Sequence, residues 1–275
     1  MRNQTPERDA VRFAQLHATR PAGVRAVGVE RVIGDRDDVG VLLPRQPGAH
    51  VVLGEDILAD DPPGFTHAET IATGSRAAAA GGFTTVCCMP NTNPVNDSAT
   101  VTTYIVEKAR REAVVNVFPI GAITKGSEGE ELAAIGSMVA AGAVAISDDG
   151  RPVMNARVMR RAMETARALD IPVIQHCEDL HLSAGGDMHE CADSVRLGLR
   201  GIPAAAEDVM VARDILLAEL TGARYHVAHI STKNAVAMVG LARRRGLPVT
   251  CEATPHHIAL HTGHMRPYDS NYKMK

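Results

Sequence analysis

Short apolar runs alternate with longer helical segments through most of this chain, and that alternation restricts the fold more than any other feature. Candidate strands lie at 83–89 (FTTVCCM), 115–120 (VNVFPI), 143–147 (AVAIS), 172–176 (PVIQH), 224–230 (RYHVAHI) and 248–254 (PVTCEAT), with an earlier one at 50–53 (HVVL). Between them, apolar spacing predicts helices over 67–80, 97–113, 129–140, 154–169, 204–220 and 232–246. Runs this apolar suit strands covered on both faces, and their alternation with helices predicts repeated βαβ units. Seven such strands without a Gly-rich phosphate loop at a strand-to-helix turn favour a TIM-type (β/α)8 barrel, here incomplete with strand eight missing, over an open doubly wound sheet. An unclosed barrel leaves sheet edges that favour pairing with a second copy, so a homo-oligomer is expected.

Residues 1–50 differ. They are rich in Arg, Gly, Pro and Asp, with breakers at Pro21 and Pro44, and read as an irregular segment preceding a partial barrel over 51–275. A formal charge of −3 gives no basic excess for nucleic acid. No run is long enough for a membrane span and no apolar core marks a secretory signal, which predicts a cytoplasmic protein. The five cysteines, two of them adjacent in an apolar run, read as reduced core thiols. Aromatic residues are only 3%, so burial must rest on Ala, Val, Leu, Ile and Met.

In an α/β barrel, the C-terminal strand ends face the active site. Asn91 follows the first clear strand, Asp148 and Asp149 the third, while His176 and His229 end the fourth and fifth. Asp149, His176 and His229, from three strands, predict a divalent metal site, with zinc the best match. Each residue also has an ordinary reading. Asp-Asp-Gly is a turn signal, and a lone strand-end His is often only hydrogen-bonded. Strand alternation puts His226 and His229 on opposite faces. Ser231-Thr232-Lys233 reads as a helix cap, and Cys177 and Cys251 as small core residues. The long interval between the strands at 172 and 224 reads as a loop over the site.

The stretches GFTHAETIATGSRAAAAGGFTTVCCMPNTNP, GAVAISDDGRPV, PVIQHCED, GIPAAAEDVMVARDILLAE, YHVAHISTK, TCEATPHH and SNYKMK, running from Gly64 to Lys275, resemble the bacterial type I dihydroorotases of the amidohydrolase superfamily. The resemblance implies a metal-bearing barrel that interconverts N-carbamoyl-L-aspartate and dihydroorotate in pyrimidine synthesis, one or two zinc ions activating water and polarising the amide carbonyl. It makes Asp149 a metal-bridging carboxylate, His176 and His229 ligands of a second metal, and Asn91 and Asn271 substrate contacts. Hydantoinase- or allantoinase-like hydrolysis is the neighbouring alternative. A non-catalytic scaffold for aspartate carbamoyltransferase is another.

The chain departs from that family at both ends of the pattern. The first-strand His-x-His pair and the carboxylate-clamping Arg are replaced by Gly54-Glu55-Asp56-Ile57-Leu58-Ala59-Asp60-Asp61-Pro62-Pro63-Gly64, whose acids read as solvated charges. The last-strand Asp-His-Ala-Pro element, with its proton-shuttling Asp, has no counterpart. The expectation is an incomplete gene product of a dihydroorotase, holding at most one zinc and turning over dihydroorotate at background level.

Overall fold

The structure is a computed structural model, and it describes residues 31–32, 51–54 and 70–264 of the 275. Seven parallel strands build one curled sheet. They are β2 (Val51–Gly54), β3 (Thr85–Cys88), β4 (Asn116–Ala122), β5 (Ala145–Ser147), β6 (Val173–Gln175), β9 (Tyr225–Val227) and β10 (Val249–Ala253). An eighth strand, β1 (Arg31–Val32), pairs antiparallel with β10, Arg31 opposite Ala253. The sheet order is β1-β10-β9-β6-β5-β4-β3-β2, and Cα atoms of the two edge strands β1 and β2 come within 8 Å.

Helices follow the strands in sequence: α1 (Ile71–Ala80), α2 (Ala99–Glu112), α3 (Ile135–Ala141), α4 (Ala156–Ala168), α7 (Ala205–Thr221), α8 (Lys233–Arg244) and the short α9 (Pro255–Ala259). Between β6 and α7 the chain makes a small unit of its own. It contains α5 (Leu180–Ser183), β7 (Met188–His189), α6 (Ala192–Leu197) and β8 (Gly201–Ile202), with β7 and β8 paired in parallel. This is the segment expected to be a loop; it is instead folded.

Local chemistry explains the helices. The Asn155 side chain accepts from the backbone N–H groups of Arg157 and Val158, capping α4. That helix buries Val158, Met159, Ala162, Met163 and Ala166, one stripe at helical spacing, and turns Arg157, Arg160, Arg161 and Arg167 outward. Thr232 caps α8 through the Ala235 N–H at 3.2 Å, as expected for the Ser231-Thr232-Lys233 cap. The expected helix at 129–140 starts only at Ile135. Before it, the Ala133 N–H bonds to the Ile123 carbonyl and Leu132 bridges Thr124, a short antiparallel link back to the β4 exit.

Strand side chains divide by the two-residue period. Val86 and Cys88 pack with Ile71, Ala78, Ile105 and Ala109 of the helices. Cys87, Met89, Ile120, Ala145, Ile174 and Ala228 make a separate cluster that no helical residue enters, the interior of the curled wall. The outer core gathers Met138, Ile146, Met159, Met163, Val173, Val211, Tyr225 and Val227. Among the described residues Tyr225 is its sole fully buried aromatic ring, in keeping with the aliphatic composition. All five cysteines are free thiols, with Cys87, Cys88 and Cys177 buried. Burial, then nearby Glu252, pushes the Cys87 thiol up to about 12. Among the described residues no helix is long and apolar enough to cross a membrane.

The expected irregular segment 1–50 lies outside the described residues except for Arg31–Val32, which form a strand rather than irregular chain. The open edge expected at the last parallel strand is likewise paired, because β1 occupies it. Met163 is fully buried between α4 and the sheet. Met163→Ala is expected to lower unfolding stability by about 2–5 kcal/mol, the transfer and cavity cost of truncating a fully buried large apolar side chain. A urea denaturation midpoint shift at unchanged slope checks this.

Candidate metal centre

The Asp-Asp-Gly turn after β5 splits two adjacent carboxylates between different tasks. Asp148 is fully buried and accepts hydrogen bonds from the backbone N–H of Ile123 (2.8 Å), the N–H of Thr124 (3.1 Å) and the Thr124 hydroxyl. It ties the end of β5 to the exit of β4, so the ordinary turn reading holds for this residue. Burial raises its pKa to about 6 even against these donors. Asp149 points elsewhere. Its Oδ1 is buried and has no hydrogen-bond partner among the described residues.

That oxygen lies 3.9 Å from Nε2 of His229. His229 Nε2 in turn stands 3.0 Å from Nδ1 of His176, the rings meeting edge to face with centroids 4.8 Å apart. Ligand-type atoms of Asp149, His176 and His229 all fall within 4.8 Å of one another. Neighbouring donors on a tetrahedral zinc with bonds of 2.0–2.1 Å stand about 3.3 Å apart, so the three side chains suit one cation with small adjustments. A buried carboxylate oxygen left without a donor is costly unless something positive meets it. The residues therefore fit a divalent metal.

His229 reaches this position through its backbone. Its φ is 35°, a left-handed value rarely adopted by a residue with a Cβ. Strand geometry stops at Val227, and the turn at His229 cancels the alternation that would have put it on the helix-facing side. His226 and His229 therefore do not point to opposite faces. His226 is buried in the interior, its Nδ1 2.7 Å from the Thr250 hydroxyl, and His229 is close enough to influence its titration.

Glu178 is the residue that sequence reasoning passed over. Its Oε2 lies 3.0 Å from His176 Nε2. A carboxylate there accepts a hydrogen bond from Nε2–H and leaves the Nδ1 lone pair facing the centre, the usual outer partner of a metal-ligating histidine. The spacing of His176 and Glu178, two apart just past a strand, is the signal that was available. Cys177, between them, faces the outer core as expected. Its Sγ is 3.1 Å from the Tyr225 hydroxyl, which bonds in turn to Asp214, itself paired with Arg213 at 2.8 Å. This chain of contacts fastens the β6 end to β9 beneath the histidines. Asn91 sits exposed in the loop after β3. The remaining candidate contact, Asn271, lies outside the described residues.

A parallel sheet rolled into a barrel wall, with a carboxylate and two imidazoles gathered where its strands end, is the architecture of the amidohydrolase-type α/β barrels. L-Hydantoinase from Arthrobacter aurescens superposes with a TM-score of 0.58 at 23% identity, over 69% of this chain and 43% of that one. A D-hydantoinase gives 0.55 at 20% identity, over 71% of this chain and 44% of that one. Sequence narrows the class. The dihydro-orotase-like family model matches residues 58–235, and the chain belongs to that family. It is 80% identical to a dihydroorotase of Solibacter usitatus (strain Ellin6076) over 78% of this chain and 50% of the relative. The dihydroorotase of Anaeromyxobacter dehalogenans (strain 2CP-C) is 58% identical over 77% of this chain and 49% of its own length. The chain thus spans about half the length of the curated relatives it matches.

Two outcomes are expected from this geometry. Glu178→Ala frees the His176 ring and should weaken divalent metal binding about 10–100-fold, read by competition with a chromophoric chelator. The second concerns His226, whose pKa burial, then His229, lowers from 6.5 to about 4. The folded state holds the neutral ring, so its contribution is present above pH 6.5 and lost as pH falls through about 4. His226→Gln does not titrate. Relative to it, the wild-type chain should lose up to about 3 kcal/mol across that interval, measured as the difference in urea midpoints at each pH.

Proposed function

We propose that the chain carries the metal centre of a dihydroorotase-type cyclic amidohydrolase, with Asp149, His176 and His229 as ligands of one zinc ion. The observation that supports this reading is the convergence of those three side chains around a buried Asp149 oxygen with no hydrogen bond of its own among the described residues. One carboxylate and two imidazoles form a donor set suited to zinc. Zinc, when bound, supplies Lewis acidity that polarises an amide carbonyl and lowers the pKa of water. Glu178 fixes the tautomer and direction of His176. Asn91 and Asn271 offer polar contacts to a small cyclic amide. The substrate class is that of dihydroorotate and N-carbamoyl-L-aspartate, which places the reaction in pyrimidine synthesis in the cytoplasm.

Residues 54–64 contain neither a His-x-His pair nor an arginine in sequence. A guanidinium is the group best shaped to grip a substrate carboxylate. The 275-residue chain is therefore expected to bind zinc but to hydrolyse dihydroorotate no faster than background. Elemental analysis should give about one zinc per chain, lost in His229→Ala. Dihydroorotate consumption followed by ultraviolet absorbance should stay flat. A zinc-free chain that co-purifies with aspartate carbamoyltransferase would favour the scaffold reading instead.

A further inference from the structure

The strained backbone at His229 needs a restraint, and the structure supplies one from a neighbouring helix. Glu207 lies in the first turn of α7 and reaches across to the segment just after His229. Its carboxylate accepts the Ser231 N–H at 3.1 and 3.0 Å, the Ser231 hydroxyl at 2.5 Å and the Thr232 N–H at 3.0 Å. The Thr232 hydroxyl has one proton and stands closer to Asp208, 2.5 Å, than to Glu207, 3.0 Å. The Ile230 N–H, on the other side, is held by the Glu252 carbonyl at 2.8 Å. His229 is thus clamped between β10 and α7, and a left-handed non-glycine residue persists only when its surroundings over-determine it.

We propose that Glu207 is a positioning residue for the metal centre: by gripping Ser231 and Thr232 it keeps His229 turned toward Asp149 and His176. Asp208 does a separate job, fixing the α8 cap through Thr232 and the Asn234 amide at 2.8 Å. The proposal rests on the metal reading given above, and it assigns work to the Ala-Glu-Asp start of α7, which no part of that reading uses.

The test uses cobalt(II) as probe on the full 275-residue chain, with wild type, Glu207→Ala, Ser231→Ala and Asp208→Asn compared. Cobalt affinity and visible d–d absorption report the ligand geometry. Amide exchange at Ile230 in the metal-free chain reports the backbone beside His229. Glu207→Ala should bind cobalt about 10–100-fold more weakly, with weakened d–d bands and faster Ile230 exchange. Ser231→Ala, which removes a single donor, should fall between it and wild type. Asp208→Asn should match wild type in both readouts even where its urea midpoint drops. Equal cobalt affinity and spectra for wild type and Glu207→Ala overturn the proposal. Should Glu207→Ala fail to fold, Ser231→Ala set against Asp208→Asn decides: an equal loss of affinity in the two makes the contacts merely structural. A wild-type chain that takes up no cobalt overturns the metal reading, and Ile230 exchange alone then decides whether Glu207 holds the loop.

Discussion

The ladder of parallel hydrogen bonds along β4, β5, β6 and β9 is the constraint from which the centre follows. Its register sets Ala122 beside Ser147, Ser147 beside Ile174 and Gln175 beside Val227. Strands that run the same way in a staggered register release their chains at one rim. The residues that follow, Asp149, His176 and His229, emerge together although they are far apart in sequence. Asp149 and His176 reach the rim directly from their strand ends. One strained residue, His229, completes the approach.

What each residue does at the rim is then decided by what faces it. Asp148 and Asp149 are chemically identical neighbours. Asp148 meets three donors from the β4 exit and serves as a strut; the Oδ1 of Asp149 meets none among the described residues and is left available for a cation. His176 and His226 divide similarly. His176 faces a carboxylate on one side and the His229 imidazole on the other at the rim, whereas His226 is sealed in the interior between the Thr250 hydroxyl and the buried Glu252 carboxylate at 3.6 Å, its pKa lowered so that the ring stays neutral. The same residue type serves chemistry or packing according to its partners.

Period and burial made the repeating βαβ frame legible in the sequence: each of the apolar runs became a strand, with ends shifted by up to three residues and β4 and β2 running past the expected end to Ala122 and Gly54. The three centre residues were legible because a barrel makes strand ends special. Three things were not. The path of the chain at 129–134, which bridges back through Leu132 and Ala133 instead of starting a helix, depends on the distant Ile123 and Thr124 backbone, which no local pattern encodes. The direction of His229 depends on one positive φ, invisible to a period of two. The place of Arg31–Val32 in the wall rests on a pairing with residues at the other end of the chain.

That last pairing has a consequence for how the wall is assembled. Arg31 and Ala253 are separated by more than two hundred residues, and β1 emerges from the ribosome long before β10 exists. The parallel units between them can form in order as they are synthesised, each against its predecessor. β1 has no such neighbour in sequence and must wait for β10, so their pairing closes a long loop whose entropic cost is met only once β10 has been made.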